Sequence, residues 1–177
     1  NGCTSTQTAS VLPDANLPNA TANGGTLTCA VDTVILNGAT TSTGVTLAWS
    51  GPNNFTSSLE DPIVTVDGIY VLLVTNTING CTAQASATVA LDIATPGAAA
   101  QSDTLTCAVP DLNLAGSSPA TNVSWSWTGP SSFQSNQQNP NITVPGPYVL
   151  TVTNLSNGCT SSASTNVEVD QVAPVAS

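Results

Sequence analysis

The chain has 177 residues, ten Asp plus Glu, and no Lys, Arg or His, for a formal net charge of −10. Without basic side chains nothing neutralises phosphate, which excludes nucleic acid as a partner, and no His or Lys stands ready as a base near neutral pH. Side-chain salt bridges are excluded too, so stability falls to apolar burial, sheet hydrogen bonds and covalent staples.

Three copies of Asn-Gly-Cys-Thr stand 78 residues apart, at Asn1–Thr4, Asn79–Thr82 and Asn157–Thr160. Leu-Thr-Cys-Ala keeps the same period at Leu27–Ala30 and Leu105–Ala108. Such a period identifies a tandem repeat. Residues 1–18 read as the C-terminal strand and junction of a preceding repeat, 19–96 as one full repeat and 97–177 as another. The copy at residues 1–4 has no sandwich of its own, so a further module, on this polypeptide or a neighbour, is expected before it.

The predicted strands follow in order. Leu27, Cys29 and Val31 alternate with polar neighbours as a half-buried strand does. Val34 and Leu36, matched by Leu112 and Leu114, lead to a turn at Asn37-Gly38. Val45, Leu47 and Trp49 form the next run, matched by Val123, Trp125 and Trp127. Ser50-Gly51-Pro52 and Thr128-Gly129-Pro130 break that run into a loop carrying Phe55 or Phe133. Val64 and Val66, like Ile142 and Val144, form a short strand ending at Gly68 or Gly146. Tyr70, Leu72 and Val74, with Tyr148, Leu150 and Val152, make the cleanest alternation. Asn79-Gly80 and Asn157-Gly158 are then expected to form a tight hairpin at positive φ. The last strand carries Cys81, Ala83, Ala85, Ala87, Val89 and Leu91 at period two. Junctions repeat as well: Asp14, Asp92 and Asp170 precede Pro18, Pro96 and Pro174, where proline ends a strand and stiffens the passage onward. With no helical period and about six or seven short strands per repeat, the predicted fold is all-β: tandem β-sandwich modules, one disulfide each.

The five cysteines divide as Cys29 with Cys81 and Cys107 with Cys159, each pair 52 residues apart. Cys3 occupies the place of a second member and is expected to bond a preceding repeat or a neighbouring chain. CxxC or His spacing for metal is absent, and free buried thiols are the alternative reading. Disulfides imply an oxidising location, extracellular or at the cell surface. Trp49 and Trp127 are then expected to pack on an inter-sheet disulfide. Trp125 either shares their inward face or sits on a bulge that exposes its ring for sugar stacking.

No catalytic residue is assigned. Glu60 and Asp61 are adjacent, so they point to opposite faces of a strand, and the second repeat has Gln138 and Asn139 there. Asp92, Asp103, Glu168 and Asp170 offer hard oxygen ligands near the junctions and are the candidate Ca²⁺ site, against a plainer reading of Asp92 as a turn cap. No other cofactor is expected. The five Asn-x-Ser/Thr sequons, at Asn19, Asn54, Asn122, Asn141 and Asn154, are what chance supplies among 17 Asn and 47 Ser plus Thr. No apolar run reaches the ~20 residues that span a bilayer as a helix.

The combination of Leu-Thr-Cys, Trp-x-Gly-Pro, x-x-Phe, Gly-x-Tyr-Val-Leu-x-Val-Thr-Asn and Asn-Gly-Cys-Thr resembles the Ig-like and PKD-like repeats of very large Bacteroidetes cell-surface adhesins, including the gliding-motility type. The resemblance covers residues 25–177 and the fragment 1–18. It implies a β-sandwich repeat, secretion across an outer membrane, and service as an extended surface filament or stalk; it implies no enzyme. Where one PKD type has Trp-Asp-Phe-Gly, this chain has Trp49-Ser50-Gly51-Pro52 and Trp127-Thr128-Gly129-Pro130. Asp32-Thr33-Val34 and Asp103-Thr104-Leu105 are similar to the O-glycosylation acceptor of that phylum, which implies glycans on Thr33 and Thr104. The functional expectation is a structural repeat segment whose partner is itself. One alternative is a carbohydrate-binding module that contacts glycans through Asn53-Asn54-Phe55 and Ser131-Ser132-Phe133. The other is a filament subunit assembled by donor-strand addition of residues 1–12.

Overall fold

The computed structural model describes residues 1–12 and 14–170. Among these residues every regular element is a strand apart from two three-residue 3₁₀ turns. The first repeat contributes β1 (Thr21–Asn23), β2 (Thr26–Thr28), β3 (Val34–Ile35), β4 (Asn37–Ala39), β5 (Val45–Gly51), β6 (Phe55–Ser57), β7 (Ile63–Val64), β8 (Gly68–Asn76) and β9 (Thr82–Asp92). The second contributes β10 (Ala99–Gln101), β11 (Leu105–Thr106), β12 (Leu112–Asn113), β13 (Ala115–Ser117), β14 (Val123–Gly129), β15 (Phe133–Ser135), β16 (Asn141–Ile142), β17 (Gly146–Asn154), β18 (Thr160–Val167) and β19 (Val169–Asp170).

In the second repeat β10 pairs with β13 and β12 with β16, both antiparallel. A four-stranded antiparallel sheet runs in the order β15-β14-β17-β18. β11 lies parallel to β19, the continuation of the last strand, with Leu105 opposite Val169 and Thr106 opposite Asp170. The first repeat follows the same plan, with pairs β1-β4 and β3-β7 and a sheet ordered β2-β9-β8-β5-β6. Short early strands facing a sheet of later ones make each repeat an Ig-like sandwich. The described residues fold into two compact units: Asn1–Thr26 with Thr33–Ala90, and Leu27–Asp32 with the described residues from Leu91 onward.

Alternation decides which side chains fill the sandwich. Leu105, Leu112, Leu114, Trp127, Ile142, Tyr148, Leu150, Val152 and Val167 form one buried cluster. The residues 78 positions earlier, Leu27, Val34, Leu36, Trp49, Val64, Tyr70, Leu72, Val74 and Val89, are buried as well. The central register sets Trp49 opposite Leu72 and Trp127 opposite Leu150. Trp125, opposite Val152, shares the inward face of Trp127 and packs half-buried against the core. No bulge exposes it.

Two sequence motifs interlock around this core. The Tyr70 hydroxyl donates to the Val66 carbonyl at 2.8 Å and the Tyr148 hydroxyl to that of Val144 at 2.7 Å. Each ring lies so close to the glycine of Trp-x-Gly-Pro that a Cβ on Gly51 or Gly129 would stand 2.3 or 2.4 Å from it. Only glycine fits there. The indole N–H of Trp49 reaches the Glu60 carbonyl at 3.1 Å, and that of Trp127 the Gln138 carbonyl at 3.0 Å. No buried side-chain nitrogen or oxygen lacks a hydrogen-bond partner among the described residues.

Several expectations are corrected. The strand through Leu27, Cys29 and Val31 stops at Thr28, because Thr28 closes a turn: its N–H donates to the Val31 carbonyl at 2.8 Å and its Oγ1 accepts from the Val31 N–H at 3.0 Å. Residues 1–12 form no strand and are exposed throughout. The hairpin is not a two-residue turn. A five-residue loop joins β8 to β9, closed by Gly80 N–H to the Asn76 carbonyl and Asn76 N–H to the Cys81 carbonyl, both at 2.9 Å. Only the glycines there have positive φ, +75° at Gly80 and +73° at Gly158. Pro174 lies outside the described residues.

Candidate functional site

The feature that sets this chain apart from a plain pair of sandwiches is covalent. Cys29 is bonded to Cys159, 130 residues away, with their Cα atoms 5.0 Å apart. This overturns both expected pairs, Cys29 with Cys81 and Cys107 with Cys159. The reason is strand length. Cys107 follows Thr106, which pairs beside Asp170, whereas Cys159 precedes Thr160 at the other end of the same edge. At 3.3–3.4 Å per residue those ends stand about 30 Å apart, against the roughly 7 Å Cα limit for a disulfide. The Trp expectation falls with it. Trp49 and Trp127 pack in cores of Leu, Ile, Val and Tyr, with Leu72 and Leu150 as cross-strand partners.

Cys29 belongs to the first repeat by sequence, but Leu27–Asp32 belongs to the second unit by structure. There Ala30 lies over the β17–β18 hairpin. Its N–H donates to the Asn157 carbonyl at 3.2 Å, and its methyl carbon would stand 2.5 Å from a Cβ on Gly158. Asn157 is 2 % exposed and fully used: Nδ2 donates to Asp92 Oδ1 at 2.9 Å and to the Ala94 carbonyl at 3.0 Å, while Oδ1 accepts from the Cys159 N–H at 2.9 Å. The motif is therefore a cysteine holder. Asn fixes the loop to the junction and the cysteine to the loop, and Gly leaves room for the incoming Ala.

The remaining cysteines, Cys3, Cys81 and Cys107, are free thiols; Cys3 and Cys107 are exposed and Cys81 is half-buried. Of the candidate Ca²⁺ ligands, Asp92 accepts from Asn157 and from the Ala94 N–H, Asp103 accepts from the Thr104 N–H at 2.8 Å, and Glu168 accepts from Asn166. Asp170 sits on β19 opposite Thr106. Among the described residues no three His, Cys, Asp or Glu are grouped to hold a metal ion. Asp61 accepts from the Gly38 N–H at 3.0 Å, as Asn139 does from Gly116, so this carboxylate does an amide's structural work. Thr33 is exposed and Thr104 half-buried.

The loops after the Trp strands share one backbone shape, with φ of 55° and 60° at Asn53 and Asn54 and 55° and 61° at Ser131 and Ser132. Sequence reading missed these left-handed residues; Asn tolerates the conformation, but nothing about Ser announces it. Phe55 and Phe133 are half-buried, packed edge-on to Tyr70 and Tyr148 with centroids 5.3 and 5.4 Å apart. Burial raises the Tyr70 phenol above its ordinary pKa, with a smaller contribution from Asp67, and burial alone raises Tyr148. Among the described residues no helix is long and apolar enough to cross a membrane.

No family model matches the chain, and no curated protein does. Among solved structures it is similar to three N-terminal domains of the bacteriophage RB49 highly immunogenic outer capsid protein, at 15% identity and TM-score 0.49 over 86% of this chain and 58% of that one. It is also similar to extracellular domains 3–5 of Drosophila OTK, at 13% identity and TM-score 0.43, over 86% of this chain and 62% of that one. A chimeric titin Z1Z2 tandem gives 13% identity and TM-score 0.33 over 86% and 99%.

Proposed function

We propose that this chain is a structural repeat segment of an extracellular filament or cell-surface stalk. The observation that carries the reading is the bond between Cys29 and Cys159, which ties a cysteine of one sequence repeat to a cysteine of the next. Such a link carries tension past the residues it brackets, which suits an array that bears load. The disulfide fits an oxidising compartment, and the absence of Lys and Arg leaves no trypsin site on an exposed fibre. Assembly by donor strand is less well supported, because both sandwiches carry their own last strand, β9 and β18, and so present no open groove to residues 1–12. A glycan-binding role is less well supported because Phe55 and Phe133 are engaged with tyrosines. Immunogold labelling of intact source cells with antibody to this chain tests the proposal. Repeated label along extended surface fibres is expected, and label confined to the cell interior would refute it.

A further inference from the structure

Cys107 is held like its bonded counterpart Cys29. At both, the preceding Thr accepts at Oγ1 from the two following N–H groups, at 3.2 and 3.0 Å, and its own N–H donates three residues ahead. Cys81 is held like its bonded counterpart Cys159. Its N–H donates to Asn79 Oδ1 at 2.9 Å, and Asn79 Nδ2 reaches the junction carbonyl of Asn16 at 3.1 Å. One difference separates the two hairpins. Gly158 is covered by Ala30, whereas Gly80 faces open space with nothing within 4 Å of its would-be Cβ. Cys159 is 1 % exposed, while Cys81 is half-buried.

We propose that Cys107 and Cys81 are half-sites of the same bond, made to further copies of this repeat. Cys107 takes the Asn-Gly-Cys cysteine of the repeat that follows, and Cys81 takes the Leu-Thr-Cys cysteine of the repeat that precedes. The inference rests on the tandem reading above and gives it a partner: the repeat itself, in one polarity. Each bond forms when two thiols lose two protons and two electrons to a small disulfide such as glutathione disulfide, which leaves as two glutathione thiols. The surface that receives the Leu-Thr-Cys-Ala loop is the face of Gly80, and Ala108 is the residue that covers it.

The test uses the full chain carrying Cys3→Ser, which removes a thiol outside both sandwiches and leaves Cys81 and Cys107 free. The folded protein is concentrated in a glutathione redox buffer and run on a non-reducing gel. Cross-links are then mapped after thermolysin digestion, since trypsin has no site. Oligomers joined by Cys81–Cys107 links, in large excess over Cys81–Cys81 and Cys107–Cys107, are expected. The same protein oxidised in urea should give the statistical mixture. A statistical mixture from the folded protein, or monomers capped by glutathione at both thiols, would overturn the proposal. Fibre labelling on cells together with capped monomers here would sink the staple and leave the structural role standing. On native material, a link between these two motifs survives as a peptide pair whichever polypeptides carry it. Collapse of the array to a band near the 17.6 kDa of this chain on reduction assigns the copies to separate chains, and an unchanged high mass assigns them to one.

Discussion

At the scale of single residues, each sandwich is fixed by a tyrosine seated against a glycine. The phenol donates to a carbonyl four residues back, and the ring occupies the space a side chain at Gly51 or Gly129 would need. Its proton belongs to the folded state. Because the folded-state pKa of Tyr70 and Tyr148 is raised by burial, the stabilisation is fully present below the unfolded tyrosine value of about 10 and is lost as pH rises past it. Tyr70→Phe and Tyr148→Phe should each cost about 1 kcal/mol at neutral pH through the lost hydrogen bond. In urea titrations between pH 8 and pH 12, the double variant should show a shallower alkaline loss than the parent chain. Equal slopes would mean these phenols do not govern alkaline stability.

At the scale of elements, the hairpin between the last two strands separates geometry from chemistry. Gly80 and Gly158 share positive φ, so alanine at either position strains the backbone by roughly 1 kcal/mol. Gly158→Ala also drives a methyl into Ala30, whereas Gly80→Ala meets nothing. Gly158→Ala should therefore retain more free thiol than the parent after oxidative refolding, and Gly80→Ala should match the parent. Equal thiol counts in all three would show that the Ala30 contact does not control closure of the bond. The sandwich was legible in the sequence because Tyr70, Leu72 and Val74 alternate without interruption, and their copies do so 78 residues later. β1 and β10 were not, since Thr21-Ala22-Asn23 and Ala99-Ala100-Gln101 carry no apolar period. The cysteine pairing was degenerate for a different reason. In a repeat of 78, separations of 52 and 130 leave the same pattern along the chain, and only the length of the strand between Thr160 and Asp170 distinguishes them. In sequence Asn157 shows only its turn propensity, because its work as a buried amide depends on Asp92 and Ala94, which lie far away along the chain.

At the scale of the molecule, a bond spanning 130 residues changes what the chain does under load. Tension applied between the termini passes from Cys29 through the sulfur atoms to Cys159, and the residues between them carry none of it. Both cores lie largely inside that loop, so a sandwich can unfold without lengthening the chain. In the chain-entropy model, closing a loop of this size is worth about 5 kcal/mol, and Cys29→Ser and Cys159→Ser should each forfeit it once, with no further loss in the double variant. The mechanical consequence is larger. Reduction releases 130 residues that extend by 3.3–3.6 Å each, or about 450 Å. Single-molecule pulling on the oxidised chain should therefore give a short extension from the flanking segments alone, and addition of a reductant should lengthen the same molecule by about that amount. Cys29→Ser should show the long extension from the start. An oxidised chain that already extends to full contour length would mean that the two sulfurs are not joined under load and that the sandwiches themselves bear the force.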